Sequence, residues 1–174
     1  MCERRLWPTI MIDAKRMSEN HIPDGKKILV VDDNPVILRH LSMILRANGF
    51  ETTTAQDGAD VVCCLRKQRP DLILLDIFFP WQAEQSSSMW DGFEILQWLR
   101  RMGGAADIPF IVISAADPDK YKSRSLAEGA RAFFSKPVPI PELIETIYSV
   151  FKSTTEKSSE AAPDAIPELH MATG

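Results

Sequence analysis

Short apolar runs of strand length recur along the chain and alternate with stretches of helical periodicity. Ile28-Leu-Val-Val31 ends on Asp32-Asp33. Asp71-Leu-Ile-Leu-Leu75 ends on Asp76, with Pro80 closing the apolar stretch that follows. Phe110-Ile-Val-Ile113 ends on Ser114, and Ala132-Phe-Phe134 ends near Lys136-Pro137. Strands are predicted at 27–31, 50–54, 71–75, 109–113 and 131–134. The first, third and fourth are almost wholly Ile, Val and Leu and belong at the centre of a sheet. Glu51-Thr-Thr-Thr54 is polar and fits an edge.

Helix signals fall between these runs. Asn34 precedes Pro35 as a cap, Ile37, Leu41, Ile44 and Leu45 share one face, and Gly49 stops the helix. A second helix is predicted at 58–68, opened by Asp57 and ended by Pro70. A third spans 92–102, before Gly103-Gly104, and a fourth spans 118–128, before Gly129. A fifth spans 140–152 with Leu143, Ile144, Ile147 and Phe151 inward. Alternating β and α units imply a parallel α/β sheet covered by helices on both faces.

The flanks differ from this core. Residues 1–25 are polar and irregular, and Met11 and Met17 are alternative starts. Residues 153–174 lack bulky apolar groups and are expected to be disordered. The expected organisation is an N-terminal extension at 1–25, one domain at 26–152 and a tail at 153–174. No apolar run approaches the ~20 residues that span a bilayer, and residues 6–12 carry no cleavage signal. The net charge is −4 without a block of Lys or Arg, which argues against nucleic-acid binding by this chain. Cys2, Cys63 and Cys64 form neither a disulfide framework nor a metal spacing, which fits a reducing cytoplasm.

In an open parallel sheet, ligands bind beyond the carboxyl ends of the strands. Asp32, Asp33, Asp76, Ser114 and Lys136 are all placed there. Two like charges ~4 Å apart repel by about 1 kcal/mol in water and ~4 kcal/mol at an effective dielectric of 20, so three clustered carboxylates call for a cation. With oxygen ligands and no His or Cys at the strand tips, that cation is Mg²⁺ rather than Zn²⁺.

Taken together, Val31-Asp32-Asp33, Leu75-Asp76 with Pro80, Ser114-Ala115 and Lys136-Pro137 resemble the receiver domain of bacterial two-component response regulators, of the single-domain, CheY-like type. The resemblance covers residues 26–152. It implies a flavodoxin-like (βα)5 fold with strand order 2-1-3-4-5. It implies Asp76 as phosphoacceptor, and Asp33, Asp76 and the Phe78 backbone carbonyl as direct Mg²⁺ ligands, with Asp32 acting through water. Lys136 contacts Asp76 and then the phosphoryl group, and the Ser114 hydroxyl reorients toward it. Phe133 matches the family's rotating aromatic switch, or is a plain core residue. A cis peptide before Pro137 is implied as well.

The family works as a phosphorylation-dependent switch rather than an enzyme acting on a separate substrate. The implied partners are a histidine kinase or phosphotransfer protein and an unidentified downstream protein, met through the face of the fourth helix, fifth strand and fifth helix. A phosphorylation-dependent homodimer is left open. The alternative is a phosphorylation-independent scaffold of the same fold. One departure stands beside the site: Trp81–Trp90 separate Pro80 from Asp91-Gly92, a longer link than the family carries. It is a lid or partner contact, or a tolerated surface loop.

Overall fold

The computed structural model describes residues 25–77, 97, 101 and 107–160, the last six as backbone only. Five parallel strands are present: β1 (Lys27–Val31), β2 (Glu51–Ala55), β3 (Leu72–Leu75), β4 (Phe110–Ser114) and β5 (Phe133–Ser135). They lie in the order β2-β1-β3-β4-β5, as expected. The described helices are α1 (Pro35–Ala47), α2 (Gly58–Lys67), α3 (Pro118–Ala127) and α4 (Ile140–Glu160). The helix expected at 92–102 lies mostly outside the described residues; Gln97 and Arg101 within it are helical and exposed.

Alternation along β1 divides its side chains between two cores. Leu29 and Val31 pack with Ile73, Leu75 and Val112 under α2 and α3; Ile28 and Val30 pack with Leu72, Leu74 and Ile111 under α1 and α4. A strand apolar on both faces must be covered on both, and this produces the doubly wound α/β arrangement. β2 pairs only with β1 and keeps Thr53 and Thr54 exposed, as an edge strand.

Local chemistry sets the helix ends. The Asn34 side chain accepts from the Val36 N–H, and Pro35 begins α1. At its other end Gly49 has φ 85°, a left-handed conformation that favours glycine, while the Gly49 and Phe50 N–H groups bond back to Arg46 and Leu45. Gly129 repeats this after α3 with φ 87°.

Most element boundaries fall within one residue of expectation, and two differ by more. β5 covers Phe133–Ser135 rather than 131–134. The Ala132 carbonyl already accepts from Val112, yet extended pairing runs on until Ser135 sits beside Ser114. α4 continues past 152 to Glu160. No Gly or Pro interrupts 153–160, and the Ser153 and Thr154 hydroxyls both donate to the Val150 carbonyl at 2.9 Å.

At the amino edge of the sheet, Asp71 Oδ2 accepts from the Lys27 N–H at 2.8 Å, and Asp71 Oδ1 meets Lys26 Nζ at 3.2 Å. Asp71 thereby ties the entry of β1 to that of β3 and holds the register that aligns their far ends.

Candidate functional site

Backbone pairing brings the strand tips together. The Asp76 N–H donates to Val31 O at 2.9 Å, and the Asp32 N–H donates to Ala55 O at 3.1 Å. These bonds put Asp32 and Asp76 side by side just past β1 and β3. Both are almost fully buried, at 2% and 4% exposure, whereas Asp33 is exposed. Carboxylate oxygens of Asp32, Asp33 and Asp76 all lie within 4.8 Å of one another.

Ser114, at the end of β4, is fully buried and donates to Asp76 Oδ1 at 3.0 Å. Its hydroxyl also accepts from the Ala116 N–H at 3.3 Å. Lys136 follows β5, where its N–H donates to Ser114 O at 2.9 Å. Its ammonium donates to Asp32 Oδ2 at 2.6 Å and to Asp76 Oδ2. The Lys136–Pro137 peptide is cis. Phe133 is half-buried and packs on the core shared with α2 and α3. Phe78 and the Trp81–Trp90 link lie outside the described residues.

The electrostatics follow from burial. Desolvation pushes the Asp32 carboxyl above its ordinary value, although Lys136 and the Asn34 N–H, which donates to Asp32 Oδ1 at 2.9 Å, both pull it down. Burial pulls the Lys136 ammonium down, but its hydrogen bonds to Asp32 and Asp76 overcome this and hold it above its ordinary value. Lys136 is thus held in its charged form by the same contacts that oppose the desolvation of Asp32. One ammonium faces three carboxylates, leaving excess negative charge open on the Asp33 side. That donor set is all oxygen and suits a hard divalent cation.

The structure brings together Asp32, Asp33, Asp76, Ser114 and Lys136 as the sequence predicts. The direct Asp32–Lys136 ion pair is new. Its partners are 104 residues apart, and no local spacing announces it. The Asn34 N–H is also missed: its side-chain capping role was legible, its backbone bond to Asp32 was not.

The response regulator receiver domain family matches residues 28–148 of the chain. The polar-differentiation response regulator DivK of Brucella anthropi is 33% identical over 124 residues, covering 71% of this chain and 94% of DivK. Protein PilH of Pseudomonas aeruginosa is 31% identical over 124 residues, covering 71% and 96%. Among solved structures, the receiver domain of the Francisella response regulator 1452 superposes with a TM-score of 0.64 at 29% identity, covering 75% of this chain and 99% of that one. The chemotaxis response regulator CheY4 of Vibrio cholerae gives 0.61 at 28%, covering 72% and 98%. With its β2-β1-β3-β4-β5 sheet and acidic strand tips, the chain belongs to the receiver domain family of response regulators, proteins of phosphoacceptor signalling.

Proposed function

We propose that the chain is a phosphoacceptor module in which Asp76 takes a phosphoryl group from a histidine kinase or phosphotransfer protein in the cytoplasm. The observation that carries this reading is the convergence on one buried carboxylate: Ser114 donates to one oxygen of Asp76 and Lys136 to the other. An Asp76 oxygen forms the bond to phosphorus as the donor's bond to phosphorus breaks, its electron pair leaving with the donor nitrogen.

Asp33, Asp76 and the Phe78 carbonyl are the groups that would hold Mg²⁺, with Asp32 acting through water. The ion's chemistry there is neutralisation of charge on the phosphoryl oxygens. Lys136 already bridges Asp32 and Asp76 and supplies a second positive charge to the incoming group. The Ser114 hydroxyl exchanges its bond to Asp76 for one to the phosphoryl group. That movement draws the end of β4 with it and changes the face built from α3, β5 and α4, where Phe133 sits and a downstream protein binds.

On the input side, an apolar groove of about 520 Å³ opens beside Lys136, lined by Val36, Ile37, Leu41, Val138 and Ile140 among others. Val36 is 73% exposed there, which suits a donor protein's apolar face. Incubation with a small acyl phosphate and Mg²⁺, followed by intact mass, tests the proposal. A single phosphoryl adduct lost in Asp76→Asn supports it, and no adduct on wild type refutes it. A phosphorylation-independent scaffold is not favoured, because a passive fold has no need of this buried charged cluster.

A further inference from the structure

A second cavity lies along the outer flank of α1, where α1 meets the end of β2 and the start of α2. It is open to solvent, measures about 670 Å³ and is lined by Leu38, Arg39, Ser42, Met43, Arg46 and Thr54, among others. Its volume falls in the roughly 300–1,000 Å³ range of small-molecule sites. None of Asp32, Asp33, Asp76, Ser114 or Lys136 lines it.

Arg39, Ser42, Met43 and Arg46 follow one another at spacings of three, one and three residues, so α1 presents them on a single face. Arg46 is held in place: its Nε donates to Thr52 Oγ1 at 2.7 Å and its Nη2 to Thr52 O at 3.2 Å. Arg39 is exposed and has no hydrogen-bond or ion-pair partner among the described residues. Met43 is 63% exposed although apolar.

Ser42 adds an independent observation. It is only 7% exposed, and its hydroxyl is the one buried side-chain polar atom with no hydrogen-bond partner among the described residues. A buried hydroxyl without a partner is costly and rare enough to require a reason. Asp60, on the opposite wall, already accepts from the Gln56 N–H at 3.1 Å. Asp60 is the one acidic residue lining the cavity, against Arg39 and Arg46 on the α1 wall.

We propose that this cavity binds a small organic anion. Its oxyanion lies against the Arg39 guanidinium, rotation about the Ser42 Cα–Cβ bond turns the hydroxyl, closed to solvent in the structure, toward that oxyanion, and its apolar body lies on Leu38 and Met43. Arg46, fixed on Thr52, adds positive charge without costing further side-chain order. The proposal does not depend on phosphorylation of Asp76.

Phenyl phosphate is the probe, titrated into the ¹⁵N-labelled full chain with EDTA present. Inorganic phosphate and phenol serve as the anion-only and apolar-only arms. The expected result is saturable movement of the Ser42, Met43, Thr54 and Gln56 amides, stronger for phenyl phosphate than for either arm. Arg39→Gln should weaken it about tenfold, the worth of one hydrogen bond to a charged group, while leaving acyl-phosphate labelling intact. Ser42→Ala should weaken it without lowering Tm, since no folded-state hydrogen bond is lost. Shifts centred on Asp76 and Lys136, no saturation, or undiminished binding in Arg39→Gln would overturn the site. A Ser42→Ala protein that melts lower and binds equally well would remove Ser42 from it.

Discussion

Lys136 Nζ stands 2.6 Å from Asp32 Oδ2 while also contacting Asp76, so one ammonium bridges the ends of β1 and β3 from the far side of the sheet. The bridge neutralises part of a charge cluster that the fold would otherwise have to carry unpaired. Removing one partner from a buried ion pair typically costs about 3–5 kcal/mol, because the remaining charge is stranded. Lys136→Met should therefore lower stability by an amount of that order in EDTA, measured by urea unfolding. A divalent cation substitutes for the missing charge, so Mg²⁺ should restore part of the loss. An unchanged midpoint in EDTA would show that the ion pair is not coupled to folding.

Asp33 is the exposed member of the acidic trio and has no such bridge among the described residues. Asp33→Asn should weaken Mg²⁺ binding, read by quenching or by calorimetry. In EDTA the same change should leave stability unchanged or raise it by less than about 1 kcal/mol, since it relieves repulsion at a solvated position. Lower stability in EDTA together with unaltered Mg²⁺ affinity would remove Asp33 from the metal site.

Asp71 serves the opposite edge of the sheet. Its carboxylate accepts the Lys27 N–H and pairs with Lys26, so Asp71→Ala should cost about 1–3 kcal/mol while acyl-phosphate labelling persists on the folded fraction. Loss of labelling in fully folded protein would indicate that β1–β3 register reaches the site more strongly than this account allows.

A chain trimmed to residues 24–153 should unfold cooperatively and still accept phosphate. α4 runs on to Glu160, but Lys152, Ser153 and Thr154 are already exposed, and the buried Ile147, Val150 and Phe151 remain in the shorter chain. A broad, non-cooperative transition would place essential packing in the flanks.

Residues two beyond the phosphoacceptor and two beyond the Ser/Thr line the water path in the family that the chain resembles; here they are Phe78 and Ala116. Neither side chain can hydrogen-bond an attacking water, so the phosphorylated protein should lose its label slowly in Mg²⁺. Phe78→Asn should hasten the loss, and so should deletion within Trp81–Trp90 if that link acts as a lid. Equal decay of wild type and Phe78→Asn would dismiss shielding at that position. Unaltered decay on deletion would dismiss the lid.

The sheet and its acidic tips were legible because β1, β3 and β4 are buried on both faces. A strand in that position must be apolar throughout, so the first polar residue after each run marks its end: Asp32, Asp76 and Ser114. β5 was less legible. It is short and half-exposed, so composition alone did not separate Arg131 and Ala132 from Ser135. The end of α4 was misjudged because the apolar stripe stops at Phe151 while the backbone needs no stripe to continue. Contacts across the sheet, such as Asp32 with Lys136 and Asp71 with Lys27, depend on register and leave no periodic trace.

The proposed phosphoacceptor is Asp76. Its most direct measurement is phosphoryl incorporation from a small acyl phosphate with Mg²⁺, by intact mass and by mapping of the reduced aspartyl site, in wild type and Asp76→Asn. One adduct on Asp76 is expected in wild type and none in the variant. Incorporation in Asp76→Asn at the wild-type level would contradict this assignment.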